Sequence, residues 1–117
     1  MNWIVLQSPD QLTAIKSAKG DSIIFKHSTR CSISMITKKR FEMDWDLLPE
    51  NVPVYFLDLI SYRNLSNTIA SIFQVHHESP QLLLIRDGEC IYESSHSEIS
   101  VEDAASHILA YRKDPNS

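Results

Sequence analysis

The chain has 117 residues, enough for one compact domain, with 43% hydrophobic residues to fill a single core and 22% charged ones. A formal net charge of −4 argues against nucleic acid as a partner, and no stretch approaches the ~20 apolar residues of a membrane span. The two glycines, Gly20 and Gly88, leave no phosphate loop or dinucleotide fingerprint, and two cysteines, Cys31 and Cys90, are too few for a disulfide framework.

Met1–Leu6 has no basic residue ahead of its short apolar run and is followed by Asp10, which argues against a signal peptide, so a reducing cytosol is the default compartment. Trp3–Leu6 predicts a short strand. Ser8-Pro9-Asp10 then reads as a helix start with proline in the first turn; Leu12, Ile15 and Ala18 recur at helical spacing, and Gly20 closes the helix. Ser22–His27, with Ile23-Ile24-Phe25 at its centre, predicts a buried strand. Ser28-Thr29-Arg30 is a turn, and a helix begins near Cys31, with Ile33, Ile36 and Lys39-Arg40 along it.

Pro53–Ile60 is a second strong strand. Leu65, Ile69, Ile72 and Phe73 mark an amphipathic helix. Leu82–Ile85 and Cys90–Glu93 are strands joined at Asp87-Gly88, a tight hairpin signal. Val101, Ala104, Ala105, Ile108 and Leu109 form the last amphipathic helix. The order β-α-β-α-β-α-β-β-α predicts an α/β domain over 1–117, with a mixed sheet of about five strands flanked by helices. Residues 114–117 read as a flexible tail.

Cys31 follows a buried strand and opens a helix. The thiolate is the reactive form of cysteine, and a free thiol of pKa ~8.5 is only a few per cent ionised near neutrality. Unpaired N–H groups at a helix N-terminus stabilise that anion. Arg30 adds to this, as do Lys26 or His27 if they turn toward the sulfur. With Lys38, Lys39 and Arg40 these cations read either as a solvated face or as a local field acting on a thiol or an anionic ligand. Ser79-Pro80 lies between a helix and a strand, where proline continues neither element and a cis bond is a known use of it.

The segment from Pro80 to Glu89 resembles the cis-proline strand and hairpin of thioredoxins. Phe25-Lys26-His27-Ser28-Thr29-Arg30-Cys31-Ser32-Ile33-Ser34, Arg63-Asn64-Leu65-Ser66-Asn67, His77-Glu78-Ser79-Pro80-Gln81 and Ser95-His96 are similar to the monothiol bacilliredoxin-like proteins of the bacillithiol system, over nearly the full length. The resemblance implies a thioredoxin-like fold and a cytosolic protein that removes bacillithiol from mixed disulfides on S-thiolated client proteins. Bacillithiol is then the thiol co-substrate, with no metal or nucleotide.

Thioredoxins carry Cys-x-x-Cys, whereas Ser34 stands at the second cysteine's place. Cys31 therefore forms no disulfide with a near neighbour, and its mixed disulfide must be attacked by an outside thiol. In the thioredoxin layout Cys90 is too distant for a disulfide and is assigned a structural role. His96 occupies a turn beside the reactive cysteine where thioredoxins usually place glycine; it reads as a donor to the thiolate, as a site for an anionic thiol cofactor, or as a surface histidine without a task. Bacillithiol carries carboxylates, which the Lys26, His27, Arg30 and His96 surroundings suit, and Arg30, Ser34 and His96 are expected to stabilise the thiolate or bind the small thiol. The Ser79 backbone beside Pro80 is expected to pair with a substrate strand. His76-His77 lacks metal-site spacing. Arg63, Ser66 and Asn67 are expected to cap the third helix. Two other functions remain open: a non-catalytic adaptor binding through the Pro80 edge, and a monothiol glutaredoxin-like iron–sulfur carrier, whose signature follows the cysteine with Gly-Phe-Ser rather than Ser32-Ile33-Ser34.

Overall fold

The computed structural model describes residues 1–115. Its strands are β1 (Trp3–Val5), β2 (Asp21–His27), β3 (Val54–Asp58), β4 (Gln81–Arg86) and β5 (Glu89–Ser95), and its helices α1 (Pro9–Ser17), α2 (Ser32–Met43), α3 (Arg63–Ile72) and α4 (Val101–Lys113). The five strands form one sheet in the order β1-β3-β2-β4-β5. β3 runs parallel to both β1 and β2, while β4 is antiparallel to β2 and β5 to β4. The most apolar strands, β2 and β4, lie side by side in the interior of the sheet, where both faces are covered.

Alternation along the strands builds two cores. Ile24, Leu57, Leu83 and Ile85 face Leu12 and Ile15 of α1 and Leu65 and Ile69 of α3. Ile23, Phe25, Leu82 and Leu84 face Phe41 of α2 and Ala104 and Ile108 of α4. This is the α/β thioredoxin-like architecture.

Three local details differ from the sequence reading. α1 ends at Ser17 rather than at Gly20. Gly20, at φ 87°, lies beyond it and meets the hairpin turn: its N–H donates to Asp87 Oδ1 (2.8 Å) and its carbonyl accepts the Asp87 N–H (3.1 Å). α3 is preceded by Tyr62 with no side-chain cap, and Ser66 is not a cap but is fully buried on the inward side next to Leu65. In α2 the inward stripe is Ser34, Thr37 and Phe41, spaced i, i+3, i+7, so Ile33 and Ile36 are left outside. The Asp114 N–H still closes the last turn of α4 on the Ala110 carbonyl (3.0 Å), and Asn116 and Ser117 lie outside the described residues.

Candidate active site

One end of the sheet gathers every segment singled out by the sequence. β2 and β3 finish there, β4 begins there and β5 ends there. The Leu59 N–H donates to the His27 carbonyl (2.8 Å), joining the loop after β3 to the end of β2. Cys31 is the N-cap residue of α2 and is half-buried; its N–H donates to the Ser28 carbonyl (3.2 Å) and its carbonyl accepts from Met35 (3.1 Å). The thiol thus sits at the positive end of a helix of 12 residues. Arg30, beside it in the turn, is exposed.

Ser34 is fully buried, and its hydroxyl is committed to the turn rather than left free. It accepts the Ser28 N–H (3.0 Å) and lies 2.7 Å from His27 Nδ1. The hydroxyl thus joins the Ser28 amide to the His27 ring. Burial, then the Lys38 charge, hold His27 below the usual imidazole range, which favours the neutral ring. A side chain in the second-cysteine position therefore locks the turn that carries Cys31.

On the other face of β2, Lys26 is fully buried and turned away from the α2 side, as strand alternation requires. Its Nζ lies 3.2 Å from His77 Nδ1, and the Ser66 hydroxyl lies 3.2 Å from the same nitrogen. Burial pulls the Lys26 pKa down to about 8, and burial followed by the Lys26 charge lowers that of His77. An ammonium donating to a neutral imidazole satisfies both. Lys26, His77 and Ser66 tie β2 and α3 to the segment that enters the cis Ser79–Pro80 bond. Lys38 is likewise engaged, with Glu42 at 2.9 Å. Of the cations near Cys31 in sequence, Arg30, Lys39 and Arg40 make no hydrogen bond or ion pair through their side chains among the described residues.

The turn after β5 meets Pro80: the His96 N–H donates to its carbonyl (3.0 Å). His96 holds φ 54°, the left-handed region that explains why glycine suits this place. Its Nε2 lies 3.5 Å from Glu78 Oε2, and His76 Nε2 lies 4.0 Å from Glu78 Oε1. Glu78 and Gln81 stood in the resembling segment His77-Glu78-Ser79-Pro80-Gln81 but were given no role. Gln81 is fully buried, and its amide donates to the His76 carbonyl and to Glu93 Oε2, both at 3.0 Å. A further sequence signal for this network is a pair of polar residues, Lys26-His27, ending an otherwise apolar buried strand. The Ser79 hydroxyl is shut off from solvent and has no hydrogen-bond partner among the described residues.

Cys90 lies at the opposite end of the sheet. It pairs with Ile85, which pairs with Ser22, five positions down β2 from His27. At ~3.3 Å per residue that is roughly 17 Å along the strand, well beyond the reach of a disulfide. Both cysteines are free. Burial pushes the Cys90 thiol up, which keeps it protonated and unreactive near neutrality.

Residues 4–104 match the family described as Monothiol bacilliredoxin BrxC. Among solved structures, a protein assigned as an oxidoreductase with a thioredoxin fold is 27% identical with a TM-score of 0.76, over 92% of this chain and 93% of its own. A thioredoxin variant from Halobacterium salinarum NRC-1 (21% identity, TM-score 0.67, 93% and 89% covered) and the thioredoxin of Malassezia sympodialis (17%, 0.66, 93% and 87%) share the fold.

Proposed function

The chain belongs to the monothiol bacilliredoxin family, and on that premise we propose that it is a thiol–disulfide oxidoreductase that uses Cys31 to remove bacillithiol from protein mixed disulfides. The Cys31 thiolate attacks the bacillithiol sulfur of a client's mixed disulfide. A Cys31–bacillithiol bond forms as the client's S–S bond breaks, and the electron pair leaves on the client sulfur, which takes a proton from water. The client is reduced and Cys31 is oxidised. A second low-molecular-weight thiolate then attacks the bound bacillithiol sulfur, releasing Cys31 and a small-thiol disulfide.

The observation that carries this reading is the pairing of Cys31 at the α2 N-terminus with Ser34, a buried and hydrogen-bonded hydroxyl where a resolving thiol would stand. Arg30 and His96 serve as contacts for the thiolate or for the carboxylates of bacillithiol. Ser79 and Pro80 hold the client backbone at the open end of the sheet. The reading requires a reducing cytosol, in which the small thiol is maintained.

The test is mass spectrometry after mixing the protein with a bacillithiolated model protein. Wild type and Cys90→Ala each gain one bacillithiol on Cys31 and restore the client thiol, and Cys31→Ser does neither. A Cys31–Cys90 disulfide as product sinks the monothiol mechanism. Equal transfer from glutathione disulfides sinks the bacillithiol assignment and leaves the chemistry standing. No transfer from any disulfide favours the adaptor.

A further inference from the structure

The helix that carries Cys31 has its polarity turned inside out. Its buried stripe contains two hydroxyl residues, Ser34 and Thr37, whereas Ile33 (48% exposed), Met35 (57%), Ile36 (58%) and Met43 (76%) face solvent. Presenting Ser34 to His27 and Ser28 at the helix start and burying Phe41 in the core fix the same rotation, and helical periodicity then sends Ile33, Ile36 and Met43 outward. An ordinary surface helix directs such residues to the core. The exposed apolar side chains lie along the outer side of α2 from Ile33, two residues beyond Cys31, to Met43, and clustered exposure of this kind marks an interaction surface.

Met35 also lines an open groove of about 460 Å³ between α2 and β3, with Thr29, Lys38, Lys39, Glu42 and Phe56 among others. The protein carries a net −4, yet this groove holds two lysines against one carboxylate, while Arg40 opens on the other flank of α2 beside Asp44 and Glu98. Glu42, the helix's one carboxylate, is already bound by Lys38 (2.9 Å) and by the Trp3 indole N–H (2.8 Å). Among the described residues Lys39 is thus left without an ion-pair partner, and Ile33, Met35 and Ile36 stay exposed.

We propose that the outer face of α2 and this groove dock the client segment that carries the mixed disulfide, selecting segments in which an acidic residue lies beside aliphatic ones. This deepens the function proposed above and rests on it. Aliphatic side chains of the client cover Ile33, Ile36 and Met35, and its carboxylate meets Lys39. Both contacts hold the disulfide at the start of the helix, where Cys31 stands.

Binding and exchange are measured separately so that the two ideas fail separately. The probes are two fluorescein-labelled peptides with one alkylated cysteine flanked by leucines and glutamates, or by leucines and lysines. Fluorescence anisotropy against Cys31→Ser at low salt is expected to give about tenfold tighter binding of the acidic peptide, with the difference closing as salt is raised. Ile36→Ser and Lys39→Glu, both on exposed positions, each remove most of that preference. The same peptides, as mixed disulfides with a small thiol, then report exchange by wild type. The acidic one reacts faster, and the two substitutions slow it without changing the rate with a small-molecule disulfide. Equal binding of the two peptides, or indifference to both substitutions, overturns the docking proposal even if exchange is rapid. Absence of exchange with every disulfide overturns the oxidoreductase reading, while the anisotropy measurement still decides the surface.

Discussion

Lys26 gives the sharpest prediction, because a charged amine is enclosed in the sheet interior with an imidazole as its partner. Its side chain is fully buried and its pKa falls from 10.5 to about 8, chiefly through loss of hydration, with the Cys90 sulfur acting weakly in the other direction. A drop of that size corresponds to about 3 kcal/mol against the charged form. Allowance for residual screening where the sheet end opens reduces it to roughly 2 kcal/mol. The folded pKa lies below the unfolded one, so below pH 8 both states hold the proton and the folded state bears the whole penalty. Between pH 8 and 10.5 the folded chain releases its proton first, and stability rises with pH. Lys26→Met keeps the length of the stem and removes the charge. Urea titrations at pH 7, 8, 9 and 10 are expected to show the variant more stable at pH 7 by about 2 kcal/mol, an advantage that shrinks to under about 1 kcal/mol at pH 10. Comparing the two proteins at each pH cancels the other titrating groups. Curves that stay parallel across this range, or a variant less stable at pH 7, would refute the reasoning and show that the bond to His77 outweighs the burial of the charge.

Two further substitutions probe the site itself. Ser34→Ala leaves the Ser28 N–H and the buried His27 without their partner, so a loss of about 1–3 kcal/mol is expected in chemical denaturation; a neutral result would mean the hydroxyl does not lock the turn. His96→Gly suits the backbone at φ 54°, so stability should hold or rise by up to about 1 kcal/mol. Its exchange rate with a bacillithiolated protein should fall to that of His96→Ala, and unchanged rates in both would remove the ring from the mechanism.

Much of this protein was legible in its residues alone. The apolar runs at Ile23–Phe25 and Leu82–Ile85, the Asp87-Gly88 turn and the periodic helices specify element order, because such signals arise from neighbours along the chain. The position of Cys31 at a helix start, and of Ser34 three residues on, is equally local. Tertiary structure alone decided where the polar side chains point. Lys26 and His27 are adjacent in sequence, yet sheet alternation sends one to His77, 51 positions away, and the other to Ser34. The cluster of cations around Cys31 in sequence is thereby split between a buried bond, an ion pair with Glu42 and an open surface. The rotation of α2 is also a tertiary choice: its periodicity allows either Ile33 and Ile36 or Ser34 and Thr37 to face inward. The hydrogen bonds of Ser34, to an amide and an imidazole that only the folded chain brings together, and the burial of Phe41 on the same stripe select the second.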